Sequence, residues 1–246
     1  MIPLFKSDRS ISRSILTLDD ETEKDGPDSI FTIAEENKLE ELYLVEDGMT
    51  GFLTAYEGCQ KRKIPLRFGL RLTFVNDLDS PECENTWHKN VIFAKNTEGC
   101  SDLMKIWSDA ATKLSGKFPR VDYKYIKTAW TKNLHLAIPF YDSFLFRNRL
   151  SFSNCIPDFS FTEPTILKER NGLPFEGLIH ESLKSFDYPT MDVKSIYYKN
   201  REDFDAYTTF RIVGRRSFGK QATLECPNMD HFHSDNFCFE SWKESL

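Results

Sequence analysis

The stretch from Glu41 to Phe74 constrains the fold more than any other part of the chain. Leu42-Tyr43-Leu44-Val45 is a short apolar run that stops at Glu46-Asp47-Gly48, the pattern of a buried strand closed by a turn. From Met49 the period changes. Phe52, Leu53, Tyr56 and Cys59 recur at helical spacing, and Lys61-Arg62-Lys63 places cations at the negative end of the helix dipole. After Pro65 a second apolar run, Leu66 to Phe74, is broken by Gly69. Strand, helix and strand in so short a span predict a βαβ unit in a parallel sheet. Sites in such units are built at the C-terminal ends of the strands, where Glu46 and Asp47 stand.

The rest of the chain fits one large α/β unit. At 246 residues it has the length of a single barrel, and its 21 Phe, 9 Tyr and 4 Trp supply bulky core material. The net charge of −6 does not favour nucleic acid as the main partner. No apolar run has membrane-spanning length, and Met1 to Ser10 lacks a signal-peptide core, so neither a membrane anchor nor export is expected. Cys59, Cys83, Cys100, Cys155, Cys226 and Cys238 form no CxxC pair, which reads as reduced thiols in a cytoplasmic setting.

Taken in order, Met1 to Phe5 reads as the first strand. The acidic run Asp19 to Asp28 reads as a solvated loop, with a decoy for a basic or DNA-binding surface as the sharper alternative. Ser29 or Asp28 caps a short helix through Ile30, Ile33 and Ala34. His88 is expected at an exposed strand edge. Asn96 is the expected N-cap of a helix with Glu98 in its first turn and Leu103, Met104, Ile106, Trp107 and Ala110 on its buried face. Lys113 to Lys132 interleaves cations with Phe118, Tyr123, Tyr125 and Trp130. It is either a half-buried segment with snorkelling lysines or a stacking surface for single-stranded DNA. Leu134 to Tyr141 is a strand, Leu173 to Phe186 an amphipathic helix, Met191 to Tyr198 a strand, and Arg211 to Arg216 closes a helix.

These pieces resemble the PHP (polymerase and histidinol phosphatase) family, in the version at the N-terminus of bacterial DNA polymerase III alpha subunits. Val45-Glu46-Asp47-Gly48 corresponds to that family's Thr-Asp-His-Gly strand end, Gly51 and Tyr56 to its helix, and Gly69-Leu70-Arg71 to its Gly-x-Glu. Val91-Ile92-Phe93-Ala94-Lys95-Asn96-Thr97-Glu98-Gly99, followed by Leu103 and Ile106, is similar to its apolar strand, Ala-Lys-Asn-x-Glu-Gly turn and Leu-rich helix. Asp203-Phe204-Asp205-Ala206 matches a later segment. The resemblance implies a distorted (β/α)7 TIM-like barrel over residues 1–246. Its core would span 1–215, with a C-terminal extension, 216–246, packed on it.

A PHP site holds divalent metals through His, Asp, Glu and Cys, generates hydroxide and hydrolyses phosphoesters. The positions the resemblance assigns here are Leu4, Lys6, Glu46, Asp47, Arg71, Lys89, Phe140, Glu163, Ser195, Tyr197 and Tyr207. Phe140 falls in Ile138-Pro139-Phe140, and Glu163 would end a strand over Asp158 to Thr162. Only Glu46, Asp47 and Glu163 keep metal-ligand chemistry, with His88 as a neighbouring candidate. Arg71 and Lys6 place fixed cations where metals would sit, and Arg71 is expected to pair with Glu46, Asp47 or Glu163. In the tail, Cys226, His231, His233 and Cys238 are zinc ligand types at a spacing that fits no common zinc module.

The resemblance therefore implies a stand-alone PHP-like protein with a degenerate site and no expected cofactor. It would be a replication-associated binding or scaffold module, of a kind a virus or mobile element could carry, that docks the proofreading exonuclease or another replisome protein. The alternative is a phosphoesterase or exonuclease with a reduced carboxylate site for Mg²⁺, Mn²⁺ or Zn²⁺. A third reading is direct binding of single-stranded DNA through Lys113 to Lys132.

Overall fold

Strand β2 (Leu42–Glu46) lies parallel to β3 (Leu66–Val75), joined through helix α2 (Phe52–Arg62), as the βαβ pattern predicts. The computed structural model describes residues 1–10, 13–20, 26–114, 118–214 and 234–246; of the side chains from 212 to 214 nothing is said. The other strands are β1 (Ile2–Phe5), β4 (His88–Ala94), β5 (Arg120–Asp122), β6 (Leu134–Ile138), β7 (Thr165–Lys168) and β8 (Thr190–Ile196). The order β1-β2-β3-β4-β6-β7-β8 returns to β1 and closes a seven-stranded barrel. Six of its strands run parallel. β4 is antiparallel to both neighbours, so its first residues, not its last, reach the mouth. β5 pairs with Thr73 to Val75, where β3 outruns the barrel.

The helices are α1 (Ile30–Glu36), α2, α3 (Thr97–Thr112), α4 (Tyr123–Ala129), α5 (Phe144–Leu150), α6 (Glu176–Leu183), α7 (Phe204–Gly214) and α8 (Phe239–Glu244). Asn96 caps α3 by accepting from the Gly99 amide at 2.8 Å. Ser29 is the N-cap residue of α1, without a side-chain capping bond. On α3, Leu103, Ile106 and Ala110 are buried, Trp107 is half-buried and Met104 faces out. Residues 215 and 216, the expected end of α7, lie outside the described residues.

Alternation along each strand sorts the chain into two cores. Leu42, Leu44, Phe68, Leu70, Phe74, Leu136 and Ile196 face outward onto the helices. Leu4, Val45, Val91, Ala137, Leu167 and Val193 fill the barrel interior, each from a different strand. β3 contributes Gly69 at that level, paired with Val45 on one side and Phe93 on the other. A Cβ there would lie 2.6 Å from the Phe93 ring and 2.8 Å from Val91, so Phe93 occupies the space a side chain would need. That is why the apolar run is interrupted at Gly69.

The strand expected over Asp158 to Glu163 is not one. The strand follows it, as β7, and Phe159 and Phe161 pack onto the core from a loop. The expected helix Leu173 to Phe186 is shorter, Glu176–Leu183, and the strand from Leu134 ends at Ile138. α8 closes the outside of the β1–β8 seam. Phe239 stacks on Phe5 with ring centroids 5.8 Å apart, and the Trp242 indole donates to the Met1 carbonyl at 3.0 Å.

Candidate binding site at the barrel mouth

The strand ends deliver one ring of inward-facing polar side chains above the apolar layer. β1 continues into Lys6, β2 into Asp47, β7 into Glu169, and β8 carries Ser195. β3 contributes Arg71, and the reversed β4 contributes Lys89. Asp47 is the hub. It accepts from Lys6 Nζ at 3.0 Å, lies 3.5 Å from an Arg71 terminal nitrogen, and has Arg13 Nε at 3.3 Å on its other oxygen. Arg71 also donates to Asp142 at 2.8 Å. Asp142 follows β6 with a left-handed backbone, φ 58°, which Asp adopts more readily than most residues and which sets its carboxylate over Arg71.

The electrostatics follow from these contacts. The Lys6, Arg71 and Arg13 charges outweigh burial and hold the Asp47 carboxyl far below the ordinary range. Burial lowers Lys6, with Asp47 and Glu46 opposing, and Asp47 and Asp142 raise Arg71 against its own burial. Lys89 donates to Thr73 Oγ1 at 2.7 Å. Among the described residues no carboxylate stands within ion-pair distance of it, and burial followed by the Arg71 charge lowers it to about 8.

Across the mouth, Glu169 is held by neutral donors. Ser195 gives it a backbone N–H at 3.2 Å and a hydroxyl at 2.8 Å, and the Asn171 amide donates at 3.1 Å. Burial pushes its carboxyl up to about 6. The adjoining Tyr197 phenol is pushed up to about 12, by burial first and the nearby Glu169 second.

Several expected site residues lie elsewhere. Glu46 alternates to the outer side of β2, where it is buried and accepts from the Ser7 amide at 2.8 Å and from the Ser10 hydroxyl. It anchors the loop after β1 and does not face Arg71. Glu163 is exposed in the turn before β7, so the acid that ends that strand is Glu169, and Arg71 pairs with Asp47 and Asp142 instead. Phe140 points outward into the cluster with Tyr198, Tyr207 and Phe237, while Pro139 lines the mouth. Leu4 sits one layer below, in the apolar interior. Tyr207, on α7, stacks on Tyr197 and Tyr198 at 5.9 and 4.9 Å.

His88 is not exposed but fully buried. Its Nδ1 donates to the Thr86 carbonyl at 3.1 Å and its Nε2 accepts from the Tyr123 hydroxyl at 2.8 Å. Burial lowers it to about 4, so it is a neutral core imidazole. Cys226, His231 and His233 lie outside the described residues. Cys238 is buried as the N-cap of α8, its sulfur accepting from the Ser241 amide at 3.4 Å. In the basic aromatic segment, Lys113, Arg120, Lys124 and Lys127 pair with Asp109, Glu84, Asp77 and Asp158, and Tyr123 and Ile126 are core. Asp19, Asp20 and Asp28 pair with Arg9, Lys61 and Lys199, so these acids face cations of the same chain.

Three residues of the mouth escaped the sequence reading. Arg13 is an unremarked cation in a polar loop. Asp142 and Glu169 each follow an apolar run, the same signal that singled out Glu46 and Asp47.

The residues present do not fit a PHP metal cluster. The two inward carboxylates, Asp47 and Glu169, spend their oxygens on cations and on neutral donors respectively. Among the described residues no three His, Cys, Asp or Glu side chains converge as a metal-holding group. The space at the centre of the mouth is about 40 Å³, room for water but not for metals with a phosphate. Beside it opens a larger cleft of about 490 Å³, lined by Arg13, Asp47, Arg71, Lys89 and Arg120 and walled by Trp87, Trp107 and Phe118.

No family model and no curated protein matches the chain. A solved structure described as a "putative metal-dependent phosphoesterase" from Bifidobacterium adolescentis is similar at 12% identity. The match covers 84% of this chain and 82% of that one with a TM-score of 0.27, too loose a likeness to carry an argument here. Among the described residues no helix is long and apolar enough to cross a membrane.

Proposed function

We propose that this chain is a non-catalytic PHP-like binding protein, in which fixed side-chain cations stand where the family places metals. The observation that carries the reading is the pairing of Asp47 with Lys6, Arg71 and Arg13 at the mouth of a closed barrel. A carboxylate whose two oxygens both face cations already has its charge neutralised and attracts a metal weakly, and Arg71 cannot shed its proton to make room. A guanidinium and an ammonium can hold charge in place, but they do not generate a hydroxide nucleophile as a metal does.

The partner we propose is a protein of the replication machinery, with the proofreading exonuclease as the first candidate. This rests on the resemblance of Val91 to Ile106 and Asp203 to Ala206 to the polymerase-associated branch of the family. The reading is tested by elemental analysis of the purified protein, with phosphodiesterase activity measured on the same sample with and without Mn²⁺. The expected result is no stoichiometric metal at the mouth and no turnover. Mn²⁺-dependent hydrolysis lost on Asp47→Asn or Glu169→Gln would establish the phosphoesterase alternative instead. Capture from a bacterial lysate that recovers no replication protein would count against the proposed partner.

A further inference from the structure

Among the described residues, the cleft beside the mouth leaves Lys89 without a carboxylate in ion-pair range. Its lining carries four cations, Arg13, Arg71, Lys89 and Arg120, against two acids, Asp47 and Glu84. Asp47 is already shared among Lys6, Arg71 and Arg13, Asp142 is taken by Arg71, and Glu84 is taken by Arg120. Among the described residues, the Lys89 ammonium has only the Thr73 hydroxyl as a hydrogen-bond partner. Arg120 adds another deficit: among the described residues its Nε is buried without an acceptor. A half-buried ammonium without a counter-ion and a buried guanidinium N–H without an acceptor both oppose folding unless something fills the gap. Three aromatic side chains, Trp87, Trp107 and Phe118, form part of the same wall. Arg147 already lies 3.9 Å over the Trp87 ring, so that indole is in place as a π surface.

We infer that this cleft is a metal-free receptor for a small organic oxyanion carried on a flat ring, with Lys89 as its anchoring cation. A phosphate and a carboxylate share the chemistry that Lys89, Arg71 and Arg120 would recognise. The aromatic wall would take the ring, at a site whose volume of about 490 Å³ suits a small molecule. The inference goes beyond the proposed protein partner and needs only that the cleft bind without turning its ligand over.

Lys89 gives the site a pH signature. Burial lowers it first, the Arg71 and Arg13 charges lower it further, and Asp47 and Asp142 oppose them. It lies at about 8 in the free protein, and a bound anion favours the ammonium. Binding should therefore take up protons near pH 8 and weaken as pH rises through that value.

The test is calorimetric titration of the full chain at low salt with phenyl phosphate, benzoate, inorganic phosphate and phenol, with released phenol assayed in the phenyl phosphate sample. Phenyl phosphate or benzoate should bind at least tenfold more tightly than inorganic phosphate, and phenol should not bind. Which of the two ring-bearing anions binds better decides between phosphate and carboxylate. Lys89→Met should weaken the better ligand at least tenfold, and Lys89→Arg should restore much of the loss. Trp107→Ala should reduce that ligand to the affinity of inorganic phosphate while leaving inorganic phosphate unchanged. Circular dichroism and a thermal melt of each variant report its folding, and proton uptake by the wild-type chain at pH 8 reads the same lysine without mutation. No binding of any anion by the wild-type chain, or equal binding by Lys89→Met, overturns the inference and leaves the non-catalytic reading intact. Release of phenol overturns the non-catalytic reading.

Discussion

On one side of the barrel mouth Glu169 is held by neutral donors at the edge of the central space of about 40 Å³; on the other, Lys89 lies beside a cleft of about 490 Å³. Between them, Asp47 is surrounded by three cations. Among the described residues Glu169 has no ion-pair partner and is held by hydrogen bonds and closed packing. Among the described residues Lys89 has no ion-pair partner, and it is left open toward a cavity. A buried charge can be satisfied by donors, by an opposite charge or by something from solution, and this ring of residues uses a different solution at each place. The lesson is that the part of the mouth most tightly paired is the part least able to accept a ligand.

That comparison is most directly broken at its centre. Asp47→Asn would leave the Lys6 side chain, 6% exposed, and the Arg71 side chain, 12% exposed, without their shared counter-charge. Losing one partner of such a buried group costs about 3–5 kcal/mol, to be read from urea denaturation. A loss below about 1 kcal/mol would mean that the cations relax into the cleft and that the pairing is looser than described.

A smaller effect is expected one layer down. Gly69→Ala would force Phe93 and Val91 apart and should cost about 1–3 kcal/mol, separating the packing of the interior from the charges above it. Glu169→Gln should cost less than about 1 kcal/mol at pH 7, because an amide can accept from the Ser195 amide and Asn171 and donate to the Ser195 hydroxyl. The pH profile sharpens this. With its carboxyl at about 6 instead of 4.5, folded Glu169 holds its proton where the unfolded chain has released it. The wild type should therefore gain stability relative to Glu169→Gln as pH falls from about 6 to 4.5. No change across that window would show that Glu169 is not desolvated.

The smallest signal is that of one ring. The His88 resonance should titrate near pH 4, well below the usual 6.5, and its contribution to stability should grow as pH rises across that interval, because there only the unfolded chain binds the proton. An NMR midpoint above 6 would place His88 in water.

What the sequence made legible, and what it hid, follows from the same physics. β2, α2 and β3 were readable because the hydrophobic period changes from two to 3.6 and back across clear turn residues, and α3 because Asn96 announces its start. Glu169 was hidden because β7 is four residues long. It is preceded by Phe159 and Phe161, which alternate like a strand yet pack from a loop. The acid at the strand end was accordingly assigned six residues too early, to Glu163. Glu46 and Phe140 were assigned to the mouth from their place at a strand end. The period-two alternation of β2 and β6 turns both side chains outward, and their neighbours Asp47 and Pro139 inward. The Arg71 pairing with Asp142 could not be read from order alone, since it joins two strand ends 71 positions apart through a left-handed residue.

The closure of the ring bears on how the chain reaches its native state. β3 and β4 are sequence neighbours and can form a hairpin early, but β1 finds its second partner only when β8 has been made, nearly two hundred residues later. Until then the sheet is open, with β1 and β7 as bare edges, and such edges template contacts between molecules. Docking of β8, sealed by Phe239 on Phe5, removes both edges at once. Crowded, slow refolding should therefore lose material to aggregation before that step, and material that has passed it should resist aggregation until the whole barrel opens.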